Sequence, residues 1–269
     1  EIMPSLVGSE MCIRDSFLYL QKNRRMEILK QRRTIRKYQQ KDISSDLLND
    51  LLDSAFRAST VGNMQVYSVI VTRDAERKAK LAPAHFNQPM VKTAPVVLTF
   101  CIDLRRFTKW CEQRKATPGY NNLEWFVTGS VDALLAAQTF CVAAEEKGLG
   151  ICYLGTTTYN PQMIIEALEL PELVFPITTV TVGWPAEEPA QVDRLSLEAI
   201  VHEETYHDYT PGDIDRLYAY KESLPENKQF ILENNKETLA QVFTDVRYKK
   251  EDNEVMSENL WKVIKKQGF

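Results

Sequence analysis

From Val127 to Lys147 the chain carries Val131, Ala133, Leu134, Leu135, Ala136, Ala137, Phe140, Val142, Ala143 and Ala144, apolar on nearly every side and rich in alanine. That pattern predicts a helix about 30 Å long, buried at the centre of a domain. Lys147-Gly148 supplies its stop, because glycine takes the left-handed turn that ends a helix. A helix without a polar face needs neighbours on several sides, so the rest of the chain must build layers around it.

The remaining patterns supply those layers. Ile43, Leu47, Leu48, Leu51, Leu52, Ala55 and Phe56 fall on one face of a helix, with Ser44 as N-cap. Asp74 opens a short helix that ends before Pro83, and Asn160-Pro161 starts another through Ile164 and Leu168. Strands are predicted through Tyr67, Val69 and Val71, over 95–101, over 151–154 and over 175–182. The second of these is apolar almost throughout, as a strand covered on both faces should be. Helical patterns return at 214–221, 236–243 and 253–265. Strands alternating with helices give an α+β sandwich, with helices on both faces of one sheet.

Bulk properties narrow the function. The 269 residues carry a net charge of −4, which argues against a general nucleic-acid binder. No apolar run approaches the roughly 18 residues that span a membrane. Cys12, Cys101, Cys111, Cys141 and Cys152 are scattered and odd in number, which fits a reducing, cytoplasmic compartment. Residues 1–25 lack periodicity and the order of a secretory signal, and read as a non-native or disordered extension, with Met26 the natural start.

Little side-chain chemistry is visible. His202 and His207 are separated by five positions, far apart on a helix, so no metal site is expected. His85 has no sequence neighbour that would activate it, and no nucleophile elbow or phosphate-binding P-loop occurs. Gly148-Leu149-Gly150 precedes a strand instead of following one, unlike a dinucleotide fingerprint. One cluster stands out: eight basic residues lie between Lys22 and Lys37, the tightest part being Arg32-Arg33-Thr34-Ile35-Arg36. Guanidinium forks match oxyanion geometry, so this segment could grip a phosphate, or it could be a solvated basic face. A protein with so little chemistry of its own would have to borrow a cofactor.

Six segments in order resemble the nitroreductase family of FMN-dependent NAD(P)H oxidoreductases: Arg32 to Arg36, the polar stretch ending at Gln65, Phe86-Asn87-Gln88, Gly148 to Gly155, Gly183-Trp184-Pro185, and Arg194 ahead of Val201-His202. The resemblance covers about 26–208, with 209–269 as a helical C-terminal extension that would pack on a dimer. It implies a mixed, mainly antiparallel sheet around the long central helix, FMN as cofactor, and NADPH or NADH as reductant. Arg32 and Thr34 would hold the FMN phosphate, with Arg33 alongside the ribityl-phosphate, and Arg36 would lie by the flavin N1/O2 edge unless it pairs with an acid such as Asp42. Asn87 or Gln88 would reach the pyrimidine edge, and Tyr153, Leu154, Gly155 and Thr156 would lie against the ring. Arg194 would return to the phosphate, although Val192 stands where the family often has a lysine. Thr60, Gly62, Asn63 and Gln65 would reach the flavin of the other subunit of a homodimer. Trp125 and Phe126 could stack on a flat aromatic acceptor or serve as core. The implied activity is ping-pong reduction of nitroaromatics, quinones or free flavin. The alternatives are a non-enzymatic flavin or anion-binding module, or reductive dehalogenation or flavin fragmentation on the same scaffold.

Overall fold

A computed structural model describes residues 28–269; the expectations for residues 1–25 and Met26 lie outside that range. Helix α1 (Ser45–Ala55) begins where Ser44 accepts a hydrogen bond from the Leu47 amide. Strand β1 (Tyr67–Thr72) leads to α2 (Ala75–Leu81), capped by Asp74, and then to α3 (Pro89–Thr93). Next come β2 (Val96–Asp103), α4 (Arg105–Gln113) and α5 (Leu123–Glu146). Strand β3 (Gly150–Leu154), α6 (Pro161–Leu168) and β4 (Val174–Gly183) complete the core.

The strands form one antiparallel sheet in the order β1-β2-β4-β3. All eight residues of β2 are buried, and they alternate between two cores. Val96, Leu98 and Phe100 join α1 and α5, whereas Val97 joins the layer of α2, α3 and α6. The predicted two-faced burial of this strand is therefore met, with helices on both sides. Pro176 sits at a register irregularity where β4 meets Phe100 and Cys101, a place where a strand tolerates a residue lacking an N–H.

Helix α5 packs through Ala133, Ala136, Ala137, Phe140 and Ala144. At Gly129 an added Cβ would come within 2.5 Å of Ile102, so the missing side chain is what lets helix and sheet approach. The expectation of burial all round needs correction: Leu123, Val127, Val131, Leu134 and Leu135 form a stripe that is 42–55% exposed. Among the described residues α5 is also long and apolar enough to cross a membrane. Glycine, serine and threonine interrupt its apolar residues but do not offset the mean hydropathy, and its alanine face is packed into the protein core.

The chain divides into two compact units. The first runs to Gln191 and includes Leu260–Phe269; within it Gln267 donates to the carbonyls of Pro171 and Val174 at 2.7 and 3.0 Å, and Phe269 packs against Phe126 and Phe175. The second, Val192–Asn259, holds α7 (Pro211–Ser223), α8 (Pro225–Glu233), α9 (Leu239–Val242) and the start of α10 (Lys250–Lys266). Helix α7 opens with a reciprocal cap between Thr210 and Asp213. Helices α3, α4 and α8 have no counterpart in the sequence pattern: α3 is only five residues long, and α4 and α8 have few buried residues to generate a periodic stripe.

Candidate functional site

The arginine segment lies along the free edge of the sheet. Thr34 bridges Ile151 in parallel, and the Ile35 amide donates to the Ile151 carbonyl at 2.9 Å. Ile35 and Tyr38 turn into the core, and the Tyr38 hydroxyl donates to the Ile35 carbonyl at 2.8 Å. An added Cβ at Gly150 would come within 2.6 Å of Ile35, so the segment and β3 approach this closely only at a glycine.

With the chain pinned there, the guanidiniums meet carboxylates that the sequence pattern did not reveal. Arg32 Nε donates to Glu145 at 3.1 Å, Arg33 Nη1 donates to Glu188 at 3.0 Å, and the Arg36 and Lys37 amides converge on Glu187 at 2.8 and 3.0 Å. Burial pushes the Glu145 carboxyl above its ordinary range, and Arg32 pulls it back. Arg33 Nε is buried without a partner. Arg36 does not pair with Asp42, whose carboxylate takes Arg73 at 2.7 Å. Its guanidinium faces the Cys152 thiol, which burial pushes up and Arg36 pulls down. A cleft of about 610 Å³ runs beside Arg32, Arg33, Glu145, Gly150, Glu187 and Glu188.

Further along β3 lies a second group of expected residues. Tyr153 is half-buried, with its hydroxyl toward Gln138 at 3.4 Å. At Gly155 nothing stands within 4 Å of where a Cβ would be, so the backbone there faces open space. Residues Gly155–Thr158 form a 3-10 turn, tied down by Thr157 donating to the Leu154 carbonyl at 2.9 Å. Against it packs the turn Ala82–His85, followed by Phe86 and Asn87, both left-handed at φ 53° and 54°. His85 Nδ1 joins the turns through Thr156 Oγ1 at 2.8 Å, and Asn160 Nδ2, just past the second turn, donates to the Ala84 carbonyl at 3.1 Å. Asn87 is exposed and Gln88 half-buried. Burial lowers the His85 pKa to about 4.

Thr60, Gly62, Asn63 and Gln65 are elsewhere. Gly62, Asn63 and Gln65 all have positive φ, and the loop is held from below by Asp132 of α5, which accepts from the Val61 amide at 3.1 Å. Asp132 is fully buried with Oδ2 unpaired; burial raises its pKa, opposed by hydrogen bonds from the Val61 and Val66 amides. Arg106 secures the loop's far end through the carbonyls of Gln65 and Tyr67. Asp132 and Glu145 are thirteen positions apart on α5, about 20 Å at 1.5 Å per residue. The loop and the arginine segment thus hang from well-separated points of the same helix.

Other expected residues belong to other parts of the chain. Arg194 belongs to the second unit, where it donates to the Asp193 carbonyl at 2.9 Å, while the Asp193 carboxylate pairs with Lys221. Trp125 and Phe126 serve as core: Trp125 packs edge-on against Tyr120, and Phe126 against Phe175 and Phe269. Trp110, on α4, is more exposed than either. The ring nitrogens of His202 meet the His207 amide and the Tyr209 hydroxyl, and no group of three metal-ligating side chains occurs among the described residues. Glu145, Glu187, Glu188, Asp132 and Arg106 escaped the sequence reading because no local pattern marks a partner more than thirty positions away.

Residues 29–184 match the family model described as Nitroreductase family. The chain is 35% identical over 223 residues to a Bacillus subtilis protein named FMN reductase [NAD(P)H], covering 80% of this chain and 87% of that one. It is 33% identical to a Pseudomonas protein named CR(VI) reductase, covering 76% and 86%. A crystal structure from Bacteroides fragilis superimposes with a TM-score of 0.89 at 74% identity, covering 90% of this chain and 98% of the other. The NfrA1 nitroreductase of B. subtilis gives 0.80 at 29% identity, covering 91% and 98%.

Proposed function

The chain belongs to the nitroreductase family, and from that membership we propose that it is an FMN-dependent oxidoreductase using NAD(P)H to reduce small aromatic acceptors. The observation that carries the proposal is the run of the arginine segment along the edge of β3: Thr34 bridges Ile151, the Arg36 guanidinium faces the Cys152 thiol, and Arg32 and Arg33 line the cleft beside Gly150, upstream of the open backbone at Gly155. The donor set suits a phosphate at one end and a flat ring at the other. Arg33 keeps a buried, unpartnered Nε, and an anion seated there would satisfy it. FMN held there by Arg32, Arg33, Thr34 and Arg36 would supply hydride redox chemistry between NAD(P)H and, in turn, a nitroaromatic, quinone or free flavin.

The protein's own residues hold and polarise. Arg32, Arg33 and Thr34 grip the phosphate. Arg36 sets a fixed positive charge beside the ring, stabilising charge that develops on reduction. Asn87 or Gln88 and the backbone of Tyr153, Leu154, Gly155 and Thr156 hold the ring edge and face. Thr60, Gly62, Asn63 and Gln65 act on the site of a second copy of the chain. The roughly 20 Å between the two anchor points on α5 supports that division, and the exposed stripe from Leu123 to Leu135 supports a homodimer. We assign the cofactor domain to 26–208 and a dimer-gripping extension to 209–269. Free, buried Cys101, Cys111, Cys141 and Cys152 accord with a cytoplasmic setting.

Purified protein tests this directly. It should be yellow, be bleached anaerobically by NADPH or NADH, and regain its colour with a quinone. A yellow protein inert to both nucleotides would instead be a flavin-binding module, and the enzymatic reading would fall.

A further inference from the structure

His85 is fully buried, and one ring nitrogen has a partner while the other has none. Nδ1 lies 2.8 Å from Thr156 Oγ1, whereas Nε2 is enclosed without a hydrogen bond. Burial keeps the ring neutral at physiological pH, so one nitrogen carries a proton and the other a lone pair. A proton on Nε2 would be an orphaned buried donor, a rarer situation in folded proteins than an orphaned acceptor. The proton therefore belongs on Nδ1, and the ring donates to Thr156. With its oxygen taken as acceptor, the Thr156 hydroxyl still has a proton to give, and among the described residues it has no other partner.

We infer that His85 is a positioning residue for the cofactor: by donating to Thr156 Oγ1 it aims the Thr156 hydroxyl proton out of the Gly155–Thr158 turn toward the edge of the flavin ring. The inference rests on the flavin assignment above. Three features of the chain make this arrangement effective. Thr156 directly follows Gly155, where the backbone is open. Asn160, two residues past that turn, donates to the Ala84 carbonyl of the 82–85 segment, so the His85 bond works on a fixed frame. Asn87 and Gln88 leave that segment within three residues of His85, so one imidazole ties together the two stretches expected to meet the ring. A hydroxyl donated to an electron-rich edge favours the reduced cofactor, because such a bond strengthens as negative charge accumulates.

The test titrates the apo-protein with FMN and measures the absorption spectrum and midpoint potential of the bound flavin. His85→Leu and Thr156→Val should each weaken FMN binding about tenfold, the effect of one lost hydrogen bond. Both should shift the potential in the same, more negative direction and perturb the flavin spectrum alike. The double variant should be no worse than the more severe single one, because His85 acts through Thr156. His85→Asn, whose amide can stand in for Nδ1–H, and Thr156→Ser should recover most of the loss. Additive effects with an unmoved potential would mean that His85 only packs, and would overturn the inference. If His85→Leu fails to fold, Thr156→Val against Thr156→Ser and His85→Asn decides: an unshifted potential in Thr156→Val also overturns it. A wild-type protein that takes up no FMN overturns the cofactor assignment and this inference together, whereas unchanged flavin properties in the variants overturn the inference alone.

Discussion

Burial holds the His85 imidazole neutral down to about pH 4, against about 6.5 in the unfolded chain. Between those values the unfolded chain binds a proton that the native protein refuses, so stability falls as the pH drops through that window. The difference of about 2.5 pKa units corresponds to about 3 kcal/mol. Asp132 and Glu145 act in the opposite sense, because burial raises both; acidification favours their native, protonated forms and offsets part of the loss. Urea unfolding at pH 7 and pH 4.5 should show His85→Asn losing clearly less stability on acidification than wild type; equal losses would exclude His85 as the source. The arginines give a second measurement at this scale. Arg32→Ala removes a guanidinium from the phosphate end and leaves Glu145 as an unpaired, poorly solvated carboxylate. Fluorescence titration should show FMN binding weakened about 10- to 100-fold, as expected for a charge-assisted contact. Arg32→Lys should recover it only partly, since an ammonium cannot serve Glu145 and a phosphate in the same forked geometry.

Among the elements, Gly129 sets how closely α5 lies on the sheet. Gly129→Ala gains about 1 kcal/mol of helix propensity but forces a methyl into the buried Ile102 side chain at 2.5 Å. Overpacking typically costs about 1–3 kcal/mol, so the clash wins and the midpoint of chemical unfolding should fall; a rise would mean that β2 yields freely. Much of this level was legible beforehand. The alanine run, the Ser44 and Asp74 caps and the unbroken apolar stretch of β2 are local signals, and each led to the element found. The exposed stripe of α5 was not legible, because a helix apolar all round looks the same whether its second face meets its own core or another molecule. The carboxylates at 145, 187 and 188 also stayed hidden, because their pairing depends on the register of the arginine segment against β3. The order of the arginine, glycine and tryptophan segments was legible as a family pattern, and the family match follows it.

For the whole molecule, the question is what covers Val127, Val131, Leu134 and Leu135. An apolar stripe of this kind on a water-facing helix marks an interaction surface, and a second copy is the occupant proposed above. Leu134→Glu places a charge in the middle of the stripe without entering the alanine core. Light scattering should find it monomeric, and absorbance should find it depleted of flavin. A monomer that keeps its full complement of FMN would show that one chain suffices for the site.

Helix α5 also acts as a ruler, fixing Arg32 near one end and the Val61 loop about 20 Å away. Two chains, one crippled at Arg32 and the other in the loop, would each be inert alone. Mixed and reassembled, they should complement: each hybrid pair unites both lesions in one site and leaves its twin wholly intact, so every hybrid works at one of its two sites.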